Sequence, residues 1–308
     1  MFSKKLLIPL LSLSLLVTPA YSSHAAENTE AAGTSVESQG MLSPSSSSES
    51  SKSVFNGSGA GTSSEPVTDE KLETILKQVQ SQLPTENGTW AVFISDLVNG
   101  TEGSLNDQKM QAASLIKLYI MGAVYENYDQ ITGQYGRDSV DSNLYSMITV
   151  SDNDAANTLT TYLGGGDSAA GMQAVNSFCQ AHGYDQTHMG RMLLASNEND
   201  DNYTSVGDCG HLLQEIYKQD TSGYTHAADM FNLLKAQTRC NKIPAQLPEG
   251  VKTANKTGEL DNVENDAGII YDSKNDVVIV FMSQNLSSAG SAQNTIATLS
   301  RTIYDYYN

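Results

Sequence analysis

The chain has 308 residues and a formal net charge of −18, with 17 lysines and arginines against 35 aspartates and glutamates. Nucleic-acid-binding proteins need a basic surface to neutralise phosphates, so this charge argues against a nucleic-acid partner, and equally against an anionic membrane surface. Hydrophobic residues make up only 39% of the chain, which is low for a globular protein of this length. The deficit is concentrated near the amino terminus.

Residues 1–26 have the pattern of a secretory signal peptide. Lys4 and Lys5 precede an apolar run that is too short to span a bilayer, and small residues follow it. We therefore expect cleavage after Ala25 or Ala26. Because no cysteine lies near this position, a bacterial lipid anchor is not supported, and we expect a secreted protein without a stable membrane anchor.

Residues 27–66 are predicted to form a disordered linker. They contain 13 serines and 5 glycines in 40 positions, so ordering them would cost conformational entropy with little burial in return. A flexible tether of this kind suits a protein held within a cell-wall layer. The folded domain is therefore expected to cover residues 67–308, in an extracellular or wall-associated location.

Hydrophobic periodicity predicts the elements of the folded part in chain order. A helix with an N-cap at Thr68 ends before Pro84, and a strand at 89–97 leads into a hairpin turn. The segment 113–125 is apolar on nearly every face and is predicted to be a buried helix. Further helices are predicted at 144–150, 155–163, 169–182, 205–217 and 225–238, strands at 251–256, 267–271 and 277–283, and a last helix at 292–306.

This order predicts an α+β fold, in which an antiparallel sheet carries the N- and C-terminal helices and a mainly helical insertion. The chain has three cysteines, Cys179, Cys209 and Cys240. A secreted protein permits a disulfide, and Cys209–Cys240 is the preferred pair, although spacing does not choose among the three pairings. No grouping of cysteine and histidine has metal-ligand spacing. We expect neither a metal nor another cofactor.

The first motif with chemical potential is Ser114-Leu115-Ile116-Lys117. Ser114 begins the predicted buried helix, where unpaired N–H groups and the positive end of the dipole favour developing negative charge. Serine is a weak nucleophile and needs a base, and Lys117 lies one turn along on the same face. Apolar neighbours would lower the pKa of this lysine. By itself the motif is more often a surface serine and a lysine with an exposed ammonium.

The second motif, Ser151-Asp152-Asn153, is predicted to lie on a loop between helices. Ser151 could pass a proton to a leaving group, and Asn153 could form a hydrogen bond with a substrate amide. The same three residues also make a good N-cap for the helix that follows. Viewed alone, the tripeptide is better explained as a helix cap than as part of a catalytic site.

The third motif, Lys256-Thr257-Gly258, ends a predicted strand. The ammonium and hydroxyl groups could hold a substrate carboxylate, and Gly258 would allow a ligand to approach the backbone. The N–H of Glu259, beside that of Ser114, could form an oxyanion hole. Viewed alone, this motif is also explained by a solvated edge strand.

Together, in this order, the three motifs resemble those of the class A β-lactamases, serine hydrolases related to the penicillin-binding proteins. The stretches 241–244 and 251–260 also resemble that family, and the resemblance covers residues 67–308. It implies Ser114 as the acylated nucleophile, Lys117 as its activating partner, Ser151 as the proton shuttle, and Asn153, Lys256 and Thr257 as substrate contacts.

The resemblance further implies that Arg191 and Asp201 form the ion pair that closes the family's omega loop. Typical members carry a glutamate two residues after this arginine, which holds the water that hydrolyses the acyl-enzyme. Here that position is Leu193. Glu198 is the one acid inside the loop whose position could suit this role. Acylation machinery is therefore expected, whereas the usual deacylating carboxylate is not evident.

The leading hypothesis is a secreted serine hydrolase that forms an acyl-enzyme and hydrolyses β-lactams, with slow turnover. A D,D-peptidase or esterase acting on peptidoglycan stem peptides stays open. So does a wall-associated module that traps penicillin with little turnover. The expected partner is accordingly a β-lactam or a stem peptide, and we expect a monomer.

Overall fold

The computed structural model describes residues 69–219 and 224–308. The signal peptide predicted at 1–26, the linker predicted at 27–66 and the N-cap predicted at Thr68 lie outside these residues. In the first described helix, Asp69 is the N-cap, because its carboxylate accepts from the N–H groups of Lys71 and Leu72. None of the described helices has the length and apolar character to cross a membrane.

The described residues contain two sheets. The strands are β1 (Thr89–Asp96), β2 (Thr101–Leu105), β3 (Met110–Gln111), β4 (Tyr203–Thr204), β5 (Lys252–Leu260), β6 (Val263–Tyr271) and β7 (Val277–Gln284). Five of them form an antiparallel sheet in the order β2-β1-β7-β6-β5, and β3 pairs with β4. Strand β5 is therefore an edge of the main sheet.

The helices precede, interrupt and follow the strands of the sheet. They are α1 (Glu70–Gln82), α2 (Ile116–Glu126), α3 (Tyr128–Tyr135), α4 (Arg137–Thr149), α5 (Asn153–Leu163), α6 (Ser168–Ala181), α7 (Val206–Lys218), α8 (Ala227–Lys235) and α9 (Ala289–Tyr307). Helices α2 to α8 form the insertion between β2 and β5. Residues 116–124 of α2 are all buried, as the sequence predicts.

The sheet separates two apolar cores, because side chains along a strand point alternately to its two faces. Val92 and Ile94 of β1 lie in the core formed with α1 and α9. Ala91 and Phe93 lie in the core formed with the helical insertion. The predicted α+β fold is therefore confirmed.

Strands β5 and β6 are each four residues longer at their shared turn than the sequence predicts. The added residues are mostly polar, and Thr257, Glu264 and Asp266 are nevertheless buried. Apolar alternation could not reveal such residues, because it assumes that buried strand positions are apolar. This polar, buried end of the sheet borders the site described below.

Two helices, α3 and α4, precede Ser151 where the sequence predicts only one short helix at 144–150. Their exposed faces are rich in polar residues, so the apolar repeat is weak over the first part of this region. Gly136 separates the helices with a φ of 86°, a left-handed conformation that favours glycine. Helix α4 ends at Thr149, and the chain after it places Ser151 beside Lys117.

The predicted disulfide between Cys209 and Cys240 is wrong, since both cysteines and Cys179 are free. Cys209 lies on the buried face of α7, and its thiol is 3.4 Å from the Tyr119 hydroxyl. Cys240 is exposed in the segment after α8. The helix face that carries Cys209 packs into the core, so the two thiols lie in different environments.

We expect a thiol reagent to modify one cysteine of the native protein rapidly, at Cys240. Burial raises the pKa of Cys179 and of Cys209 to about 12, so these thiols are protonated as well as inaccessible, and should react only after denaturation. Ellman's reagent measures both phases, and Cys240→Ser is the control that removes the rapid one. Two rapidly reacting thiols in the native wild type would contradict this packing.

Candidate active site

Ser114 and Lys117 lie together at the start of the central helix. A 3₁₀ turn over Ala113–Leu115 carries Ser114 and leads directly into α2. The Lys117 Nζ is 3.2 Å from the Ser114 Oγ, within hydrogen-bonding distance. Ala113 has a φ of 47°, a strained conformation of the kind that clusters at functional sites. The first motif therefore forms a contact pair.

The second motif packs around the Lys117 ammonium. Lys117 Nζ donates to the Ser151 carbonyl oxygen at 2.6 Å and to Asn153 Oδ1 at 2.7 Å, and it lies 3.1 Å from Ser151 Oγ. Between these residues, Asp152 caps α5 by accepting from the N–H of Ala155. The tripeptide is thus both a helix cap and part of the site.

The third motif brings a second lysine to the same serine. Lys256 is fully buried on β5, and its Nζ donates to Ser151 Oγ at 2.9 Å and to the Thr257 carbonyl oxygen at 2.7 Å. The Ser151 hydroxyl therefore lies between Lys117 and Lys256. Because these contacts enclose the Lys256 side chain, it lines neither of the two cavities described below.

Gly258 allows β5 to approach the segment that carries Ser114. A Cβ atom at this position would lie 3.0 Å from the Ala112 carbonyl oxygen and 3.2 Å from the Ser114 nitrogen. A side chain would therefore force the strand away from the turn. The close approach sets the backbone of the next residue, Glu259, beside the start of α2, where the oxyanion hole is predicted.

Burial changes the proton affinity of both lysines. It lowers the pKa of Lys117 to about 8, while Asp152 opposes the change and the positive charge of Arg239 assists it. Burial also lowers the pKa of Lys256 well below its ordinary value, and the nearby Lys117 charge adds to the effect. With a pKa near 8, roughly a tenth of the Lys117 side chains are neutral at pH 7 and able to accept a proton.

Ser114 lies where two cavities meet. The larger cavity, of about 270 Å³, extends from Ser114 to Leu193 and Leu194. The smaller cavity, of about 130 Å³, extends from Ser114 past Thr257 to Arg239. Asn153 and Glu259, predicted substrate contacts, line both cavities together with Ser114. This geometry gives a bound molecule access to the Ser114 hydroxyl from two sides.

Arg239 is a site residue that the sequence analysis missed, because it lies outside the three motifs in a segment without a regular pattern. Its guanidinium donates to Glu259 Oε2 at 3.1 Å and to the Val150 carbonyl oxygen at 3.3 Å. The side chain is 44% exposed, in contrast to the buried Lys256. Among the residues that line the smaller cavity, Arg239 is the one with a positive charge.

Arg191 and Asp201 form the predicted ion pair, with 2.7 Å between Arg191 Nε and Asp201 Oδ1. Burial alone would raise the pKa of Asp201. Hydrogen bonds from Gln111, from the N–H of Asn202 and from Arg191 outweigh that effect and hold the pKa below its ordinary value. The Asp201 carboxylate therefore stays charged, and its contact with Arg191 ties together the two ends of the loop beside the larger cavity.

The loop presents Leu193, and no acid, to the larger cavity. Asn157 fixes the loop backbone here, since it accepts from the Leu193 N–H at 2.8 Å and donates to the Leu193 carbonyl oxygen at 3.0 Å. Glu198 is exposed and is not among the residues that line the cavity. Of the described residues around either cavity, Glu259 is the one carboxylate. Asn157, like Arg239, was missed by sequence reasoning.

This fold, with a serine and a lysine in contact on the central helix and a second serine between two lysines, defines a class A β-lactamase-like serine hydrolase. The chain belongs to the family described as the beta-lactamase enzyme family, whose model matches residues 71–137 and 134–307. The comparison with curated proteins gives no match.

Solved structures of this fold are similar to the chain at low sequence identity. PBP-A is 22% identical, with a TM-score of 0.67 over 76% of this chain and 96% of PBP-A. A PBP-A variant with glutamate in place of a leucine was solved as an acyl-enzyme complex with penicillin G. It is 22% identical to this chain, with a TM-score of 0.66 over 76% of this chain and 96% of the variant. A class A β-lactamase of the last common ancestor of Gram-negative bacteria is 20% identical, with a TM-score of 0.65 over 76% of this chain and 100% of the ancestral enzyme.

Proposed function

We propose that this protein is a secreted serine hydrolase in which Ser114 is acylated by β-lactams and the acyl-enzyme is hydrolysed slowly. The observation that carries the proposal is the 3.2 Å contact between Lys117 Nζ and Ser114 Oγ at the junction of two cavities. Secretion and retention in the cell wall are proposed from the signal-peptide pattern of residues 1–26 and the linker composition of residues 27–66.

In the proposed acylation step, neutral Lys117 takes the proton of the Ser114 hydroxyl while Ser114 Oγ attacks the lactam carbonyl carbon. The N–H groups of Ser114 and Glu259 stabilise the resulting oxyanion. As the carbon–nitrogen bond breaks, the Ser151 hydroxyl gives its proton to the leaving nitrogen. Ser151 is then reprotonated from Lys117, which completes the transfer.

Substrate recognition uses the two cavities in this proposal. β-Lactams and D-Ala-D-Ala peptides both carry a carboxylate beside the scissile amide. Thr257 and Arg239 bind this carboxylate in the smaller cavity. Asn153 forms a hydrogen bond with the acyl-side amide. The acyl group occupies the larger cavity, against Leu193.

Slow turnover is proposed because a leucine, which cannot activate water, stands where the loop faces Ser114. The same observation supports two alternatives. One is a D,D-peptidase that acts on peptidoglycan stems and is inhibited by β-lactams, and the other is a module that traps penicillin. These candidates share the acylation step and differ in the fate of the acyl-enzyme. The decay rate of the acyl-enzyme therefore separates a hydrolase from the peptidase and the trap.

A fluorescent penicillin is expected to label the wild-type protein and to leave Ser114→Ala unlabelled. Ser104→Ala, which alters an exposed serine on β2, is the matched control and should label normally. Gel fluorescence over time and nitrocefin hydrolysis then measure turnover. Label lost within minutes supports hydrolysis, and persistent label supports a trap or an inhibited peptidase. Equal labelling of Ser114→Ala and wild type would refute the proposed nucleophile.

The acylation rate is also expected to rise with pH and to level off above about pH 8. Only the neutral form of Lys117 accepts the Ser114 proton, and burial lowers its pKa to about 8. Well below that pH, the rate should fall about tenfold for each pH unit. Stopped-flow labelling between about pH 6 and 9.5 measures the profile. A flat profile would contradict a role for Lys117 as the base.

A further inference from the structure

The side chain of Glu259 has no role in the proposed acylation. Its backbone N–H serves the proposed oxyanion hole, but its side chain lines both cavities at Ser114. It is the one carboxylate among the described residues around either cavity. An anionic substrate would have to bind close to this negative charge. The Glu259 side chain therefore affects the affinity of the site for such a substrate.

Two cations hold the Glu259 carboxylate in place. Lys242 Nζ contacts Glu259 Oε1 at 2.9 Å, and Arg239 Nη1 contacts Glu259 Oε2 at 3.1 Å. Lys242 is fully buried and also contacts Glu264 Oε2 at 2.7 Å. The buried carboxylate of Glu264 therefore already balances the positive charge of Lys242. The Glu259 side chain, 31% exposed, is therefore fixed at the cavity rather than free to turn away.

Arg239 is the group for which a substrate carboxylate and Glu259 would compete. A guanidinium has five N–H donors, but only a limited part of its edge faces any one carboxylate. Glu259 occupies one Nη atom, and the Val150 carbonyl oxygen occupies the other. Lys256 does not replace it, since its ammonium is enclosed and bonded to Ser151 and Thr257.

We propose that Glu259 is a specificity-determining residue, whose carboxylate competes with the carboxylate of the substrate for Arg239. The inference rests on the proposed function, because that function supplies the anionic substrate. It follows that the native site binds β-lactams weakly through their carboxylate. Neutralising Glu259 would release Arg239 to make a charge-assisted pair with the ligand.

The test measures affinity in proteins that cannot be acylated. Benzylpenicillin is titrated by calorimetry into Ser114→Ala and into Ser114→Ala/Glu259→Gln. Glutamine keeps the shape and an acceptor oxygen for Lys242 but carries no charge. We expect the Kd to fall about fivefold to tenfold, because one repelling and competing charge is removed near the ligand. An unchanged or higher Kd in a protein with an unchanged melting temperature would overturn the inference.

Two further comparisons separate competition from a general change in charge. Glu249→Gln removes one charge from an exposed position before β5 and should leave the Kd unchanged. With Arg239→Ala also present, Glu259→Gln should give no gain, whether binding is weak or undetectable. A full gain without Arg239 would show direct repulsion and would overturn the competition.

The outcomes also distinguish this inference from the proposed function. Labelling of wild type by fluorescent penicillin, lost in Ser114→Ala, tests acylation alone. The calorimetric comparison tests the role of Glu259 without any covalent step. If labelling depends on Ser114 and the two affinities are equal, the proposed function stands and the inference fails.

Discussion

Replacing Lys117 with methionine is expected to slow acylation of Ser114 by a fluorescent penicillin by about 10²- to 10⁴-fold, the usual contribution of a positioned base. Methionine keeps most of the length and volume of the lysine side chain but cannot accept the serine proton. The buried amine of Lys117 lies 3.2 Å from Ser114 Oγ, within hydrogen-bonding distance. The second-order rate constant for labelling, measured by stopped flow, checks this expectation.

Lys274→Met, at an exposed lysine in the turn between β6 and β7, is the control for the loss of one positive charge and should label at the wild-type rate. Melting temperatures should show that Lys117→Met is folded. An acylation rate close to that of wild type in folded Lys117→Met would instead make Lys117 a structural residue that orients Ser151 and Asn153.

Replacing Leu193 with glutamate is expected to speed the loss of penicillin label by about 10²-fold or more. Leu193 lines the larger cavity together with Ser114, and Asn157 fixes its backbone from both sides. A carboxylate at this position could hold a water and remove its proton, which leucine cannot do. The decay of preformed label, followed after removal of free penicillin, measures the change.

Leu193→Gln is the matched control, since it has the shape of glutamate and no basic group, and its label should persist. Glu198→Gln should leave the decay rate unchanged, because Glu198 is exposed and does not line the cavity. If Leu193→Glu and Leu193→Gln lose their label at the same rate, another group controls hydrolysis.

Local sequence predicted the parts of the site that depend on a single helix. Ser114, in the 3₁₀ turn, and Lys117, at the start of α2, are three residues apart, so helical geometry puts them on one face. The apolar residues around Lys117 predicted its burial, which is also the main cause of its lowered pKa. The order of helices and strands likewise predicted the α+β fold, since it follows from hydrophobic periodicity.

The pairing of cysteines and the extent of β5 and β6 could not be predicted in this way. Spacing along the chain does not say which thiols face the same side of a packed helix, and Cys209 proved to be a buried residue of α7. The ends of β5 and β6 carry buried polar residues, which lack the alternating pattern of an ordinary strand.

The sequence by itself determined the family, because three short motifs occur together in the order that is typical of class A β-lactamase-like serine hydrolases. Only the tertiary structure decided how Ser151 comes to lie between Lys117 and Lys256, and how Arg239 and Glu259 meet beside the smaller cavity. These contacts join residues that are 20 to 105 positions apart in the chain. They depend on the packing of α4, α8 and β5, which no local pattern of residues encodes.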